Sequence, residues 1–343
     1  MTAQQPGASA VMEQFLGRVD SLRQALRIPG LAIAVLRDTT VLAARGYGYA
    51  NLRTRTPVTP ETPFNIASVT KPISAVVALA LVERSLLDLD RPMQRYAGFI
   101  SFCSDVRQAG GMFFSDFQCE SDRLTLRHVL SMTANGTPGT RFWYNPPVYS
   151  WGSRPIAEVA GRSFSDLTVE LVFRPAGMTR SARIHRRLPL RADLVSELAR
   201  PYRADSTGGW TEAPEPGPQG DGAAGGVIST ATDLARFDIA LMQNRLISES
   251  SRQLLWRSGQ APDGTRLPYG LGWFLGELKG EPVAWHTGLW EGAYSALYLK
   301  LLRRGYTLIL LANGDALQWP TRFDEAAIER SPFAQAFVAA TDR

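Results

Sequence analysis

The stretch NIASVTKPIS (residues 65–74) places Ser68 three positions before Lys71, where an apolar run begins. Residues three apart on a helix share a face, so we expect the hydroxyl and the amine within hydrogen-bonding reach. Lysine can lose its proton when it is desolvated, whereas arginine cannot, and the chain has only three lysines, at positions 71, 279 and 300. One interpretation of this spacing is a serine nucleophile with a lysine base. A helix-capping serine followed by a lysine that reaches solvent has the same spacing, so the spacing alone leaves both interpretations open.

Length and composition are typical of a globular protein. The 343 residues are 45% hydrophobic and 20% charged, which predicts one large domain or two interleaved ones. The net charge of +5 is spread along the chain without a basic run, so we expect no nucleic-acid partner. We predict no transmembrane segment and see no signal peptide. The compartment stays open: cytoplasmic for the chain as it stands, periplasmic or secreted if an export signal was trimmed.

The two cysteines, Cys103 and Cys119, fall in one local segment. They form either a loop disulfide or two unpaired thiols, and the sequence does not decide between these. The three histidines, His128, His185 and His286, are scattered without the spacing of metal ligands. We therefore expect no metal site and no organic cofactor.

Strand patterns lie near both ends of the chain and helical patterns lie in the middle. An amphipathic helix in residues 1–26 precedes two strands joined at RDTT (37–40). Three strands, EPVAWHTG (281–288), AYSALYLKLL (293–302) and YTLILLAN (306–313), precede a predicted closing helix, RFDEAAIER (322–330). The stretch 208–230, rich in Gly and Pro, is either a flexible linker or an ordered loop beside a cleft. We predict a sheet domain from residues 1–64 and 220–343, with a mostly helical domain, 65–219, inserted between its halves.

Four blocks of the chain together resemble one known family. The segment 46–96, which contains SVTK (68–71), resembles the nucleophile region of the serine β-lactamase and penicillin-recognising fold, in its class C, D-alanyl-D-alanine peptidase and esterase branch. The blocks 124–161, with RFWYNPP, 225–248, and 285–315, with WHTG, resemble later regions of that branch in the same order. The resemblance implies an α/β fold in which helices flank an antiparallel sheet, with the active site in the cleft beside the inserted helical domain.

The resemblance also implies roles for individual residues. Ser68 is the expected acylated nucleophile, Lys71 its partner and Tyr144 the catalytic tyrosine, with the first acceptor of the serine proton left open. A charged Lys71 would favour a Tyr144 tyrosinate, and Tyr144 or His286 would return the proton to the leaving group. The backbone N–H groups of Ser68 and Leu289 form the expected oxyanion hole. The expected substrate-binding residues are Asn145, Thr287 and Gly288.

Two departures from the family pattern bear on the substrate. Pro146 stands where the branch has an asparagine that bonds the substrate's amide, and proline offers neither a side-chain amide nor an N–H. His286 stands where β-lactamases have a lysine, so a fixed charge for a substrate carboxylate is weakened. Without that asparagine, an ester or another acyl compound becomes the more plausible substrate.

The sequence therefore predicts a serine acyl hydrolase that forms a covalent acyl-enzyme. We expect an esterase or amide hydrolase acting on a small-molecule acyl substrate. The alternatives are a D-amino-acid peptidase or weak β-lactamase, and an acylated sensor without turnover. The oligomeric state stays open.

Overall fold

The computed structural model describes residues 8–114, 116–184, 191–215, 220–319, 322 and 325–342. Its strands are β1 (Gly30–Arg37), β2 (Thr40–Asn51), β3 (Thr56–Pro57), β4 (Phe64–Asn65), β5 (Ala182–Arg183), β6 (Tyr202–Ala204), β7 (Trp210–Glu212), β8 (Val227–Ser229), β9 (Phe274–Leu278), β10 (Glu281–Trp290), β11 (Tyr294–Leu301) and β12 (Tyr306–Ala312). Its helices are α1 (Ala8–Ala25), α2 (Thr70–Glu83), α3 (Phe99–Ala109), α4 (Leu126–Leu130), α5 (Pro146–Trp151), α6 (Ser153–Ala160), α7 (Phe164–Thr168), α8 (Arg174–Ala176), α9 (Ala192–Glu197), α10 (Ala231–Met242), α11 (Glu249–Leu255) and α12 (Pro332–Ala340). Among these described helices, none is both long and apolar enough to cross a membrane.

Seven of the described strands form an antiparallel sheet in the order β3-β2-β1-β12-β11-β10-β9. The hairpin β1–β2 turns at Asp38, inside the predicted RDTT, with a positive φ of 52°. Strand β1 pairs with β12, where Leu31 lies opposite Ala312. The two ends of the chain therefore share one sheet, and the predicted fold class is confirmed.

Helices cover both faces of this sheet. Successive side chains of a strand point to opposite faces, and Tyr306 and Thr307 of β12 show this alternation. The Tyr306 ring meets Phe337 of α12, whereas the Thr307 hydroxyl bonds Asp238 of α10. Helix α1 packs beside α12 through Phe15, whose ring centroid lies 5.4 Å from that of Phe337. Strands β1 and β11 are accordingly buried along almost their whole length.

Helix α2 runs through the interior, as its apolar sequence predicts. All its residues from Thr70 to Leu81 are buried. Pro72 lies in the first turn, where backbone N–H groups lack intrahelical acceptors, so its missing N–H costs nothing there. A 3-10 turn, Ala67–Val69, precedes the helix, so Ser68 lies just before α2 and not inside it.

Cys103 and Cys119 form a disulfide, with Cα atoms 5.6 Å apart. Of the two interpretations that the sequence left open, the structure has the bonded one. The ring of Phe102, beside Cys103, contacts the rings of Phe117 and Trp151 edge-on, at centroid distances of 6.0 and 4.6 Å. The disulfide thus closes a segment that packs on an aromatic cluster.

The closing helix predicted at 322–330 is wrong. In the described part of that stretch, only Ile328–Arg330 forms a 3-10 turn, and the helix is α12, which begins two residues later at Pro332. The Ser331 hydroxyl accepts a hydrogen bond from the Ala334 N–H, and Pro332 fits the first helical position. Serine followed by proline therefore sets the start of the helix. His185 lies outside the described residues.

Candidate active site

Ser68 is exposed in an otherwise buried stretch. Every residue from Thr62 to Leu81 is buried except Ser68, which is partly accessible. Ala67, directly before it, has a φ of 44°, a left-handed conformation that is strained for a residue with a Cβ. The Asn65 side chain supports this turn, because its Oδ1 accepts hydrogen bonds from the Ala67 N–H at 2.9 Å and from Trp290 Nε1 at 3.0 Å. The strained turn directs the serine hydroxyl into the cleft.

Lys71 lies fully buried beneath Ser68. Its Nζ is 2.7 Å from Ser68 Oγ and donates a hydrogen bond to the Ala224 carbonyl at 3.1 Å. The rings of Tyr144 and Tyr149 flank the amine, with centroids 5.1 and 5.5 Å from Nζ. Burial lowers the pKa of Lys71 well below its usual value. Burial therefore makes the neutral amine, with a lone pair beside the serine hydroxyl, easier to form than in water.

Tyr144 is a neutral phenol in this site. Burial raises its pKa, and hydrogen bonding to the Ser68 side chain only partly opposes that rise. The ring stacks on Phe274 with centroids 5.6 Å apart. Because burial disfavours the charged form of Lys71, the charge expected to favour a tyrosinate is weakened. The geometry brings together a desolvated amine, a phenol with a raised pKa and the serine hydroxyl.

His286 lies behind the pocket with both ring nitrogens engaged. Nδ1 is 2.6 Å from the Thr287 carbonyl, and Nε2 is 2.9 Å from the Tyr269 hydroxyl. A carbonyl only accepts, so Nδ1 carries the proton and Nε2 accepts the tyrosine O–H. Burial, and then the neighbouring Lys71, lower the pKa of His286 well below its usual value. The predicted proton transfer from His286 to the leaving group is not favoured by this arrangement.

The C-terminal half of β10 borders the nucleophile. Strand β9 pairs only with Glu281–Trp285 of β10, which leaves the following residues unpaired on that side. A Cβ built at Gly288 would lie 2.2 Å from the Ile66 carbonyl oxygen, so only glycine permits this approach to the Ser68 turn. Leu289 follows, 39% exposed and lining the pocket with Thr287. Gly288 thus allows β10 to lie close against the Ser68 turn, and its expected substrate contact stays a prediction.

Asn145 faces the interior, which corrects the predicted substrate contact. The residue is buried, and its Nδ2 donates to the Phe113 carbonyl at 2.7 Å and to Asn135 Oδ1 at 2.9 Å. Its Oδ1 accepts from the Val148 N–H at 3.1 Å and caps α5. Asparagine followed by Pro146 at the first helical position is a helix start. The polar side-chain atoms of Asn145 therefore form hydrogen bonds inside the protein. Pro146 lines the pocket in its place.

A pocket of about 950 Å³ opens above Ser68. Its walls are mainly apolar, with aromatic side chains from both the helical region and the sheet region: Phe113, Tyr144, Phe274, Trp290 and Trp319. Three charged residues, Glu291, Arg322 and Glu325, also line it. The loop 220–225, part of the stretch whose order the sequence left open, forms one side of this pocket. An uncharged acyl group with an apolar body fits these walls.

Sequence reasoning missed three residues of the site. Ala224 accepts from Lys71 through its carbonyl, a contact between positions 153 apart in the chain that no side-chain pattern signals. The Tyr149 hydroxyl donates to the Lys71 carbonyl at 3.0 Å and holds the backbone of α2. Asn65 lay in the quoted motif itself, but its support of the turn depends on Trp290, which is distant in sequence. In the described ranges, no three His, Cys, Asp or Glu side chains come together as metal ligands would.

A family model described as Beta-lactamase matches residues 15–330. The chain belongs to the β-lactamase family. Among its relatives, Penicillin-binding protein 4* of Bacillus subtilis is 28% identical over 329 residues, covering 84% of this chain and 70% of that protein. A D-aminopeptidase of Gluconobacter oxydans is 27% identical over 310 residues, covering 82% of this chain. The chain spans only a little over half, 56%, of that D-aminopeptidase.

Two solved structures share the fold of this chain. D-amino acid amidase from Ochrobactrum anthropi SV3 superposes with a TM-score of 0.76 at 18% identity, covering 97% of this chain and 99% of the amidase. The octameric penicillin-binding protein homologue of Pyrococcus abyssi gives a TM-score of 0.73 at 21% identity, covering 90% and 74% of the two chains. The predicted family and the predicted enzyme class, a serine hydrolase, are confirmed.

Proposed function

We propose that this protein hydrolyses esters or amides of small, apolar acyl groups through an acyl-enzyme on Ser68. One observation carries the proposal: in the pocket, the partly accessible Ser68 hydroxyl lies 2.7 Å from the amine of a fully buried lysine. A serine hydroxyl is a weak nucleophile until an adjacent base takes its proton. Burial lowers the pKa of Lys71 well below its usual value, which favours the neutral amine that a base requires.

The chemistry follows from this pair. Ser68 Oγ attacks the substrate's carbonyl carbon, and its proton passes to Nζ of Lys71. The backbone N–H groups of Ser68 and Leu289 stabilise the resulting oxyanion, each contributing about 3 kcal/mol. Tyr144, which interacts with Ser68, relays the proton from Lys71 to the leaving group. The bond between the acyl carbon and the alcohol or amine then breaks. Water next attacks the acyl-enzyme in place of that leaving group, its proton returns along the same path to Ser68 Oγ, and the acid is released.

The pocket favours neutral substrates over β-lactams. A neutral His286 supplies no fixed charge for a substrate carboxylate, and two of the three charged residues in the lining are acidic. Pro146 and the inward-facing Asn145 offer no side-chain amide to a substrate's peptide group. These features support an ester or a simple amide. D-amino acid amides are the second candidate, because D-aminopeptidases are among the relatives.

A substrate panel tests the proposal. Wild type and Ser68→Ala are compared on p-nitrophenyl esters of increasing acyl length, on D- and L-amino acid p-nitroanilides, and on nitrocefin. We expect ester turnover to exceed that of the D-anilides, nitrocefin to be slowest, and every rate to vanish in Ser68→Ala. Fastest turnover of nitrocefin would overturn the substrate preference. A stable adduct without product release would identify a sensor.

A further inference from the structure

A buried arginine lies beneath the loop that forms one side of the pocket. Arg183, in β5, is 6% exposed. Its Nη1 donates to the Gly225 carbonyl at 2.7 Å and its Nη2 to the Gly222 carbonyl at 2.6 Å, while Nε reaches Ser165 Oγ at 3.5 Å. The guanidinium also stacks over the Phe164 ring at 5.4 Å. Burying a guanidinium with backbone carbonyls as its main partners is costly in free energy. Packing alone therefore does not explain an arginine at this position.

The loop 222–225 presents four successive carbonyl groups to buried donors. Arg183 holds the outer two, Gly222 and Gly225. Helix α2 holds the inner two: the Ser74 hydroxyl donates to the Ala223 carbonyl at 2.6 Å, and Lys71 Nζ donates to the Ala224 carbonyl at 3.1 Å. The loop's opposite side lines the pocket. Arg183 and the catalytic lysine are therefore bonded to neighbouring peptide groups of one short segment.

We propose that Arg183 is a positioning residue for Lys71, acting through the Ala224 carbonyl. The guanidinium fixes both ends of the four-residue loop, so the carbonyl that orients Nζ has one position. As part of this role the loop, which lines the pocket, keeps water from the amine, which does not line it. Lys71 is then held beside Ser68 in a dry environment, which is the condition for a neutral lysine. This inference rests on the proposed role of Lys71 as the base.

The other groups around Lys71 are uncharged. Tyr144 and Tyr149 flank the amine, and burial raises the pKa of both phenols. His286, on β10, is held neutral by burial. On the loop side, the charged groups are Arg183 and Asp221, and the Asp221 carboxylate bonds the N–H groups of Phe164 and Ser165. A change in the pKa of Lys71 on displacing the loop would therefore reflect altered hydration of Nζ and not the charge of a neighbouring carboxylate or imidazole.

The pH dependence of acylation tests this inference. kcat/KM for a p-nitrophenyl ester is measured against pH for wild type, Arg183→Met, Arg183→Lys and Arg180→Met. Without the two carbonyl bonds the loop relaxes, water solvates Nζ, and the pKa of Lys71 rises toward its usual value. The acid limb of the variant's profile should then lie at least about one pH unit above that of the wild type. At pH values below both limbs, this shift lowers activity about tenfold, and the activity returns at high pH. Arg183→Lys, which keeps the charge without the planar fork, should shift the limb less.

Arg180→Met is the control for loss of a partly buried arginine away from the loop. Arg180 bonds the Glu61 carbonyl and Glu197 away from the loop, so Arg180→Met should keep the wild-type profile. An unmoved acid limb in Arg183→Met, with activity reduced equally at every pH, would overturn the positioning role. If Arg183→Met does not fold, an unmoved limb with uniformly reduced activity in Arg183→Lys would overturn it instead. Failure of the wild type to hydrolyse any ester or amide would instead contradict the proposed function.

Discussion

Lys71 illustrates why the chemistry needs this residue type at this place. A charged side chain is rarely fully buried without an ionic partner, yet no carboxylate contributes to the shift of its pKa. Burial alone makes the neutral amine accessible, and arginine in the same place would keep its proton. At the scale of one residue, the site therefore depends on desolvation more than on charge pairing.

Lys71→Arg should strongly slow acylation at every pH. We expect kcat/KM to fall by about 10²–10⁴-fold, the usual contribution of a general base. In the wild type, kcat/KM should fall as the pH drops below the lowered pKa of Lys71, because the protonated amine cannot accept the serine proton. The exposed Lys279 provides the control, since Lys279→Arg should leave the profile unchanged. A Lys71→Arg variant with wild-type rates would remove Lys71 from the mechanism.

Gly288→Ala should slow acylation through a steric effect. The added methyl group would meet the Ile66 carbonyl, so β10 must move away from the Ser68 turn and carry the Leu289 N–H with it. Misplacing one oxyanion donor lowers kcat by about 10²–10³-fold. Gly17→Ala is the control, because nothing lies within 4 Å of a Cβ at that helical position. Equal kcat values for the two variants, measured on one ester, would contradict the oxyanion assignment.

At the scale of elements, the sequence predicts those helices, strands and turns that depend on local residue patterns. The β1–β2 hairpin, the buried helix and the three late strands follow from periodicity and turn residues. The closing helix was misplaced, because the run of good helix formers at 322–330 outweighed the Ser331–Pro332 start signal. The Ser68–Lys71 pairing was predictable from spacing, whereas the Ala224 carbonyl and the strained Ala67 depend on packing between distant segments.

The disulfide-closed segment should influence which acyl groups the pocket accepts. Phe113, within it, lines the pocket, and its carbonyl accepts hydrogen bonds from Asn135 and Asn145. Phe113→Ala should raise kcat/KM for long or bulky acyl esters relative to acetate by about tenfold, since the lost side chain leaves apolar space.

Phe114→Ala is a matched control for that change. Phe114 stacks on Trp151, with centroids 6.0 Å apart, and does not line the pocket. Its removal should lower stability without altering the order of acyl preference. The same shift of preference in both variants would show that Phe113 has no specific role in selecting the acyl group.

At the scale of the whole molecule, the site depends on the sheet that both chain ends build. Ser68 and Tyr144 precede the later strands, while Leu289 lies on β10, so the proposed nucleophile and one proposed oxyanion donor meet only in the complete fold. A buried ion pair joins helix α10 to this sheet. Lys300 Nζ lies 2.5 Å from Asp238 Oδ1 and also donates to the Thr307 hydroxyl.

Removing one partner of this pair should destabilise the protein. Lys300→Met leaves Asp238 buried without its cation, and we expect the free energy of unfolding to fall by about 3–5 kcal/mol in urea. The double variant Asp238→Leu/Lys300→Met should recover much of that loss. Ester turnover per folded molecule should stay unchanged, because neither residue lines the pocket. A double variant less stable than Lys300→Met would contradict this account of the pair.

Covalent labelling of the nucleophile tests the central claim most directly. Wild type and Ser68→Ala are incubated with a fluorophosphonate probe across a pH series, digested, and analysed by peptide mass spectrometry. The account predicts a single adduct on Ser68, absent from Ser68→Ala, whose rate of formation falls as the pH is lowered. An unlabelled wild type, or a label that persists in Ser68→Ala, would contradict it.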